Sequence, residues 1–516
     1  MKSNINFACQ IFVLSLMLVS CNQENMPLKP NIVLIMCDQY RYDRLGVMGD
    51  SILETPNLDA LSMDGIVFQN AYCPSPVCAP SRASVKTGLY PPGNGVVTNW
   101  VPFRNKVAGI EDISHYLLPV RLKAMGYQTG MVGKLHFVPA EKDYGFDFKM
   151  LHDAPYSVYA NDDMHSEYIK WLKETRYKDD TTDVVALFDK DELYYPDNIY
   201  KFIMGSGWRT ENQHDIPWTI EESISFLRNR RPETPFFLFT SIFGPHQPYL
   251  APSPWDSMYQ AGQIKLEKRF FADMSGSPIF QMNQAELAGR LHKQWENHKY
   301  QEVIAAYYGQ ISMIDHYIGK LFRTLKEEGM WDNTWIIFMA DHGDFNGAYG
   351  TFFKGEMYDV SAKIPLIVKP AYPYDGKGSM MEILVNSLDI YGTILDIAGD
   401  RDWRDLPLME SKSLMPVIMR KDGSWENKVY SIIGSQPDDN LCMLRWDDVK
   451  IIRKSMKHQD TVYELYDLSV DSLETRNVYE DPAYKDQAEK LQADLEIWWQ
   501  RQAKRYPEEL DHSFKK

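Results

Sequence analysis

The sequence predicts an α/β fold. It reads as a large mixed, mostly parallel sheet sandwiched by helices, with a smaller C-terminal α+β subdomain built on an antiparallel sheet. Three observations predict it. Four apolar runs have strand length and no polar alternation, the pattern of strands buried on both faces of a parallel sheet. Residues 305–328 carry Ile311, Ile314, Ile318, Leu321 and Leu325 at helical spacing. After a turn-rich break at Lys421-Asp422-Gly423-Ser424, short alternating segments take over, at Met443–Lys450 and Tyr463–Leu468, followed by a helical pattern over Tyr484–Lys504.

Each of the four apolar runs leads to chemistry. Asn31–Met36 runs into Cys37-Asp38-Gln39, and Gln128–Val132 into Gly133-Lys134-Leu135-His136. Pro235–Thr240 leads to Gly244-Pro245-His246, and Trp335–Ala340 to Asp341-His342-Gly343-Asp344. Open α/β sheets bind ligands beyond the carboxyl ends of their strands, so four such ends predict one shared site. Singly, each group has a plainer reading. Asp38 would cap a turn, His246 would be a packed loop histidine, Lys134 a solvated lysine, and Asp341-His342-Gly343 an ordinary strand exit. Their agreement in context favours the site.

A fifth cluster is Cys78-Ala79-Pro80-Ser81-Arg82, with Thr87-Gly88 five residues on. A lone cysteine is ordinarily a small buried hydrophobe. Here Pro80 stiffens the backbone, Ser81 adds a hydroxyl, and Arg82 adds a permanent cationic fork suited to a tetrahedral oxyanion. Ala83–Lys86 would wind into a helix whose N-terminus faces the same point, a natural anion site.

This run resembles the signature of the type I sulfatases, C-x-P-S-R-x-x-x-x-T-G. One position departs: Lys86 stands where the family is usually apolar, and it reads as a change on an exposed helix face. Other family stretches match at Thr55–Leu61, at Gly126–His136 with Leu135 in place of the frequent aromatic, and at Tyr144–Asp147. Asp389–Leu395 looks like the helix after the last core strand, and Glu464–Leu468 with Asp471 and Glu474 like the hairpin of the C-terminal subdomain.

The resemblance implies an alkaline-phosphatase-like fold and sulfate ester hydrolysis. It implies that a separate maturing enzyme oxidises Cys78 to formylglycine, whose hydrate is the nucleophile. The family's metal positions fall on Asp38, Gln39, Asp341 and His342, beside residue 78 itself. The implied ion is calcium, with magnesium or manganese as alternatives; hard oxygen donors suit all three. Gln39 replaces a second Asp found in many members and lowers the negative charge of the site. The implied roles follow. Arg82, with the metal, holds the attacking oxygen. Lys134 and Lys354 neutralise the sulfate oxygens. His246 protonates the departing sugar oxygen with help from Lys354, and His136 takes a proton from residue 78 to release sulfate. The implied substrate is a sulfated carbohydrate, a glycosaminoglycan or other sulfated glycan fragment. Two other readings fit the same residues: a phosphonate or phosphate mono- or diester hydrolase, and a catalytically inactive glycan-binding lipoprotein. A two-zinc enzyme fits less well, because no second set of His and Asp ligands is evident.

A net charge of −16 over 516 residues speaks against a general basic field for nucleic acid. A sulfated substrate therefore needs a local cationic pocket. Aromatic residues make up 13%, and of these Trp100, on the loop after the Cys78 helix, is the candidate for stacking on a sugar. At the N-terminus, Lys2 precedes the mostly apolar stretch Phe7–Val19, a secretory segment too short to span a bilayer. It ends in Leu18-Val19-Ser20-Cys21, which resembles the lipobox of bacterial lipoproteins and implies lipidation at Cys21; a plain cleaved signal is the alternative. The expected product is an exported envelope protein, periplasmic or on the cell surface, touching membrane only through its anchor. The organisation expected is signal 1–21, tether 22–28, catalytic domain 29–422 and C-terminal subdomain 423–516. Asp143–Asp215 reads as an insertion over the active-site face. Of six cysteines, Cys9 would be removed, Cys21 lipidated and Cys78 oxidised, so no disulfide framework is expected from Cys37, Cys73 and Cys442.

Overall fold

The computed structural model describes residues 29–506 apart from 100, 102, 105–106, 108–109, 111, 154–165, 176–198, 205–209, 372 and 421–424. The signal, tether and Cys21, Trp100, the break at 421–424 and much of the expected insertion lie outside the described residues.

The four apolar runs form β1 (Asn31–Cys37), β3 (Gln128–Gly133), β5 (Phe236–Ile242) and β6 (Thr334–Ala340). They lie side by side in the order β3-β5-β1-β6, all parallel. β5 and β6 are buried along their whole length, which explains their unbroken hydrophobicity. Beyond β3, β4 (Phe148–Leu151) adds a parallel edge strand. That strand corrects the insertion reading: the first part of Asp143–Asp215 belongs to the main sheet. On the other side, β8 (Leu366–Lys369) runs antiparallel to β6. β2 (Ile66–Tyr72) follows, antiparallel to β8 and to β7 (Lys363–Ile364), with β9 (Ser379–Asn386) parallel beside it. The result is a nine-stranded mixed sheet among the described residues.

Helices cover it in two groups. Asn297–Glu327 packs with Asp215–Asn229 and Pro56–Asp64. Cys78–Thr87 packs with Leu118–Ala124 and Asp389–Ala398. The Asn297–Glu327 helix begins eight residues before the predicted start at Ala305 and buries Ile311, Ile314, Ile318, Leu321 and Leu325, the periodic residues.

The C-terminal subdomain is a four-stranded antiparallel sheet, β10 (Lys428–Gln436), β11 (Asp439–Trp446), β12 (Val449–Ser455) and β13 (Val462–Asp467), followed by the helix Lys485–Ala503. The predicted single strand Met443–Lys450 is instead the end of one strand, a turn at Asp447-Asp448 with Asp447 in the left-handed region (φ 53°), and the start of the next. Alternation along β11 sends Cys442 and Leu444 towards Leu495, Trp498 and Trp499 of the helix. It sends Leu441 and Met443 towards Phe345, Met357 and Tyr358 of the main body. The second face thus backs the loop that carries Lys354. Lys450 deepens this contact, pairing with Asp359 and Glu474 in full burial.

Two glycines set strand ends beside the site. Gly133 has φ +93°, and a Cβ there would lie 1.9 Å from the Ser241 carbonyl oxygen of β5. At Gly343 a Cβ would lie 2.1 Å from the Val360 carbonyl oxygen. The four described cysteines, Cys37, Cys73, Cys78 and Cys442, are free and buried.

Candidate active site

The paired strand ends bring the predicted residues together. Cys37 lies in register with Ile242 and Ala340, and Gly133 with Ser241, so Asp38, Lys134 and Asp341 leave the sheet at one level. His246 follows β5 by four residues. The Cys78–Thr87 helix points its first residue at this edge. It starts at Cys78 itself, five residues before the predicted Ala83, and every one of its residues is buried.

Asp38, Cys78, Asp341 and His342 each offer a ligand atom, all within 4.8 Å of one another and all buried. His342 Nε2 lies 3.2 Å from Cys78 Sγ and 3.6 Å from one oxygen of each aspartate. Its Nδ1 lies 2.9 Å from the Gly343 carbonyl, which fixes the ring with Nε2 towards the cluster. Gln39, in the left-handed region at φ 66°, is held by its amide nitrogen: Nε2 donates to Gln247 Oε1 (2.9 Å) and to Asp344. That leaves Gln39 Oε1 facing Lys354 Nζ at 2.7 Å. Two carboxylates, an amide oxygen and an imidazole nitrogen around a buried point fit a divalent cation.

Arg82 binds the framework. Its Nε donates to Asp341 (2.8 Å), Nη2 to Asp38 (3.2 Å), and Nη1 to Ser241 Oγ (2.6 Å) and the Lys134 carbonyl (2.9 Å). The fork expected to hold the attacking oxygen thus makes four hydrogen bonds within the protein, two to the aspartates and two to Ser241 and the Lys134 carbonyl. Lys134 Nζ lies 2.5 Å from Asp38 and over the Phe243 ring. Lys354 Nζ lies 3.1 Å from Cys78 Sγ and 3.8 Å from Asp38.

Burial alone would raise the Asp38 carboxyl; the ammonium groups of Lys134 and Lys354, with His246 and Arg82, outweigh it and hold Asp38 well below the usual carboxylate range. Burial and Asp38 likewise push the Cys78 thiol up, but Lys134, Lys354 and His342 win and hold it well below an ordinary thiol. His246 is driven well below its usual value by burial and by Lys354, and its Nδ1 lies 2.7 Å from the Gln247 carbonyl. His136 is lowered to about 4, by burial first and then Lys134, while a hydrogen bond to Cys78 opposes the shift.

His136 sits at φ 56°, a left-handed conformation that costs a non-glycine residue roughly 1–2 kcal/mol. Asp153 supports it, accepting from the backbone N–H of Leu135 (2.6 Å) and of His136 (2.7 Å). Asp153 had no sequence signal, lying 17 residues away. Asn99 accepts from the Ala79 backbone N–H (2.9 Å) and caps the Cys78 helix, in a loop otherwise noted only for Trp100. Lys86 corrects its reading outright. It is 2 % exposed, with Nζ 4.6 Å from the Phe137 ring centroid and 5.0 Å from that of Phe239. Burial, then Arg82, hold it well below the usual lysine range.

A buried cysteine thiol held low by Lys134, Lys354 and His342, beside two carboxylates that could hold a cation, is an arrangement suited to an oxyanion ester. Residues 30–400 match the sulfatase family model. The chain belongs to the sulfatase family. A second family, described as N-sulphoglucosamine sulphohydrolase, C-terminal, matches 347–501. The sulfatase is 30% identical over 485 residues to an arylsulfatase of Clostridium perfringens, covering 90% of this chain and 93% of that one. It is 24% identical over 529 residues to an N-acetylglucosamine-6-O-sulfatase of Bacteroides thetaiotaomicron, covering 93% and 88%. Its fold resembles a phosphonate monoester hydrolase of Agrobacterium radiobacter (TM-score 0.72, 21% identity, 92% of this chain and 96% of that one). It also resembles a protein solved with its substrate D-glucosamine-2-N,6-O-disulfate (TM-score 0.70, 21% identity, 92% and 98%). The enzyme is a sulfuric ester hydrolase with the alkaline-phosphatase-like α/β fold that the family resemblance implied.

Proposed function

We propose that this sulfatase hydrolyses a sulfate ester on a carbohydrate, with residue 78 matured from cysteine to formylglycine. The observation that carries the reading is the position of Cys78 Sγ, 3.2 Å from His342 Nε2 and 3.1 Å from Lys354 Nζ, against the Asp38–Asp341 pair. When present, formylglycine supplies a hydrate oxygen as nucleophile, and a divalent cation, by preference calcium, held by Asp38, Gln39, Asp341 and His342 supplies positive charge beside it.

The chain's own residues do the rest. Arg82 holds Asp38 and Asp341 in place through Nη2 and Nε. Lys354 Nζ, 3.1 Å from Cys78 Sγ, and Lys134 Nζ bring positive charge to the sulfate oxygens. His246, oriented through Nδ1 by the Gln247 carbonyl, takes the role of acid to the departing sugar oxygen, and the anionic sulfate that arrives with the substrate favours the imidazolium this role needs. His136, beside residue 78, accepts a proton from it so that sulfate is released. A carbohydrate substrate is supported by the likeness to the N-acetylglucosamine-6-O-sulfatase and to the aminosugar disulfate complex. The proposed setting is the bacterial envelope, through a lipid on Cys21, as the run Leu18–Cys21 suggests.

The test is sulfate release from defined sulfated mono- and disaccharides, using protein made together with a maturing enzyme, beside Cys78→Ala and a phosphonate monoester. Release from one sugar, lost in Cys78→Ala, is the expected result. Hydrolysis of the phosphonate with no sugar desulfated would move the enzyme to phosphonate ester chemistry.

A further inference from the structure

We infer that Lys86 and Asp153 form a two-sided clamp on the peptide between Leu135 and His136, and that this clamp positions the His136 imidazole at residue 78. The inference rests on the proposed role of His136 as the group that takes a proton from residue 78.

The peptide unit has two polar ends. Its carbonyl, from Leu135, lies 3.4 Å from Lys86 Nζ. Its N–H, from His136, donates to Asp153 Oδ1 at 2.7 Å, and the same oxygen accepts from Leu135 N–H at 2.6 Å. A donor and an acceptor therefore grip opposite edges of one peptide plane. Lys86 also lies 3.4 Å from the Arg82 carbonyl, one turn back on the Cys78 helix. With Arg82, whose Nη1 reaches the Lys134 carbonyl, it ties the helix that carries the proposed nucleophile position to the loop that carries the proposed base. Asp153, just past β4, ties the same loop to the sheet edge. The grip falls on a residue that needs it, because His136 is in the left-handed region at φ 56° and its Nδ1 is buried without a hydrogen-bond partner. Released, the backbone would relax towards an extended conformation and swing the ring away from residue 78. Lys86 and Asp153 are positioning residues, since neither contacts residue 78.

The experiment uses Lys86→Met in the matured, metal-loaded enzyme, with aldehyde content and melting temperature measured first. Methionine fills the space between Phe137 and Phe239 without a donor. Turnover and the rate of diethyl pyrocarbonate labelling at each histidine, read by peptide mass, are then compared with wild type. The expected result is a fall in kcat of about 10- to 100-fold with KM within about twofold, since a displaced catalytic group costs on this scale. Labelling at His136 rises while labelling at His246 does not. Wild-type kcat and His136 labelling in a folded, aldehyde-bearing Lys86→Met would overturn the clamp, as would equal rises at both histidines, which signal general loosening. If Lys86→Met does not fold, Asp153→Leu, which removes the acceptor at similar size, is read by the same two measurements. His136→Ala separates the two ideas. Wild-type turnover in His136→Ala removes the base role, whereas a collapse there beside a normal Lys86→Met removes only the clamp.

Discussion

Arg82→Lys separates charge from geometry at the centre of the site. The substitution keeps one positive charge and loses the planar fork. Nε and Nη2 reach Asp341 at 2.8 Å and Asp38 at 3.2 Å, and both carboxylates are fully buried. A lysine ammonium on a flexible stem cannot satisfy both at those positions while also reaching Ser241 and the Lys134 carbonyl. At least one hydrogen bond between charged groups is lost, worth about 1.5–3 kcal/mol. If that loss falls on the arrangement of the metal donors, affinity for the cation drops by about 10- to 100-fold, the range typical when a partner behind a ligand is removed. Turnover is the wrong assay, because Arg82 belongs to the run implied in maturation of residue 78. Calcium titration by calorimetry in a Cys78→Ala background keeps residue 78 constant and reads the donors alone. Affinity in Arg82→Lys within about threefold of the Cys78→Ala parent would refute the view that Arg82 aims the aspartates, and would return it to holding the attacking oxygen of residue 78.

Three further outcomes follow from particular contacts. Glu356, accepting from Asn283 and Gln284, is raised from 4.5 to about 7 by burial. The fold therefore holds its proton, and its contribution, roughly 3 kcal/mol at most, is present below about pH 4.5 and lost as pH rises through about 7. Denaturant titrations across that range should give a flatter stability profile for Glu356→Gln; parallel profiles would remove Glu356 as the source. Gly133→Ala places a Cβ 1.9 Å from the Ser241 carbonyl at a φ of +93°, so β3 and β5 must part where Lys134 leaves the sheet. A loss of at least about 3 kcal/mol is expected in thermal melts, and an unchanged melting temperature would contradict the close approach. Cys21→Ala should move the protein from the membrane fraction to the soluble fraction, and retention in the membrane would argue against a lipid at that residue.

The core of the fold was legible because burial on both faces leaves a mark in one dimension. Ile32–Cys37 and Trp335–Ala340 are apolar throughout since neither face meets water. Phe148–Leu151 carries no such run, because it is a short sheet-edge strand with three half-buried residues and only Leu151 fully buried. The hairpin at Asp447-Asp448 was passed over although an Asp pair between two alternating segments is a turn signal. The site residues were legible as strand ends and as a family signature. Their supports, Asp153, Asn99, Gln247 and Asp344, act through folded backbone and through contacts between elements far apart in sequence.

Lys86 shows where such reading fails and why the failure is informative. A lysine in a ten-residue helix implies a solvent face, yet this helix has none. Packing does not explain the choice, since a methionine of similar length would fill the gap between Phe137 and Phe239 without the cost of removing an ammonium from water. Replacing buried charge by apolar volume is commonly neutral or stabilising. What methionine cannot do is donate, and the acceptors in reach are the carbonyls of Arg82 and Leu135. One belongs to the helix of the nucleophile position and the other to the peptide before His136. The distinguishing contribution of this buried lysine therefore lies in the relative placement of those two elements, not in the stability of either.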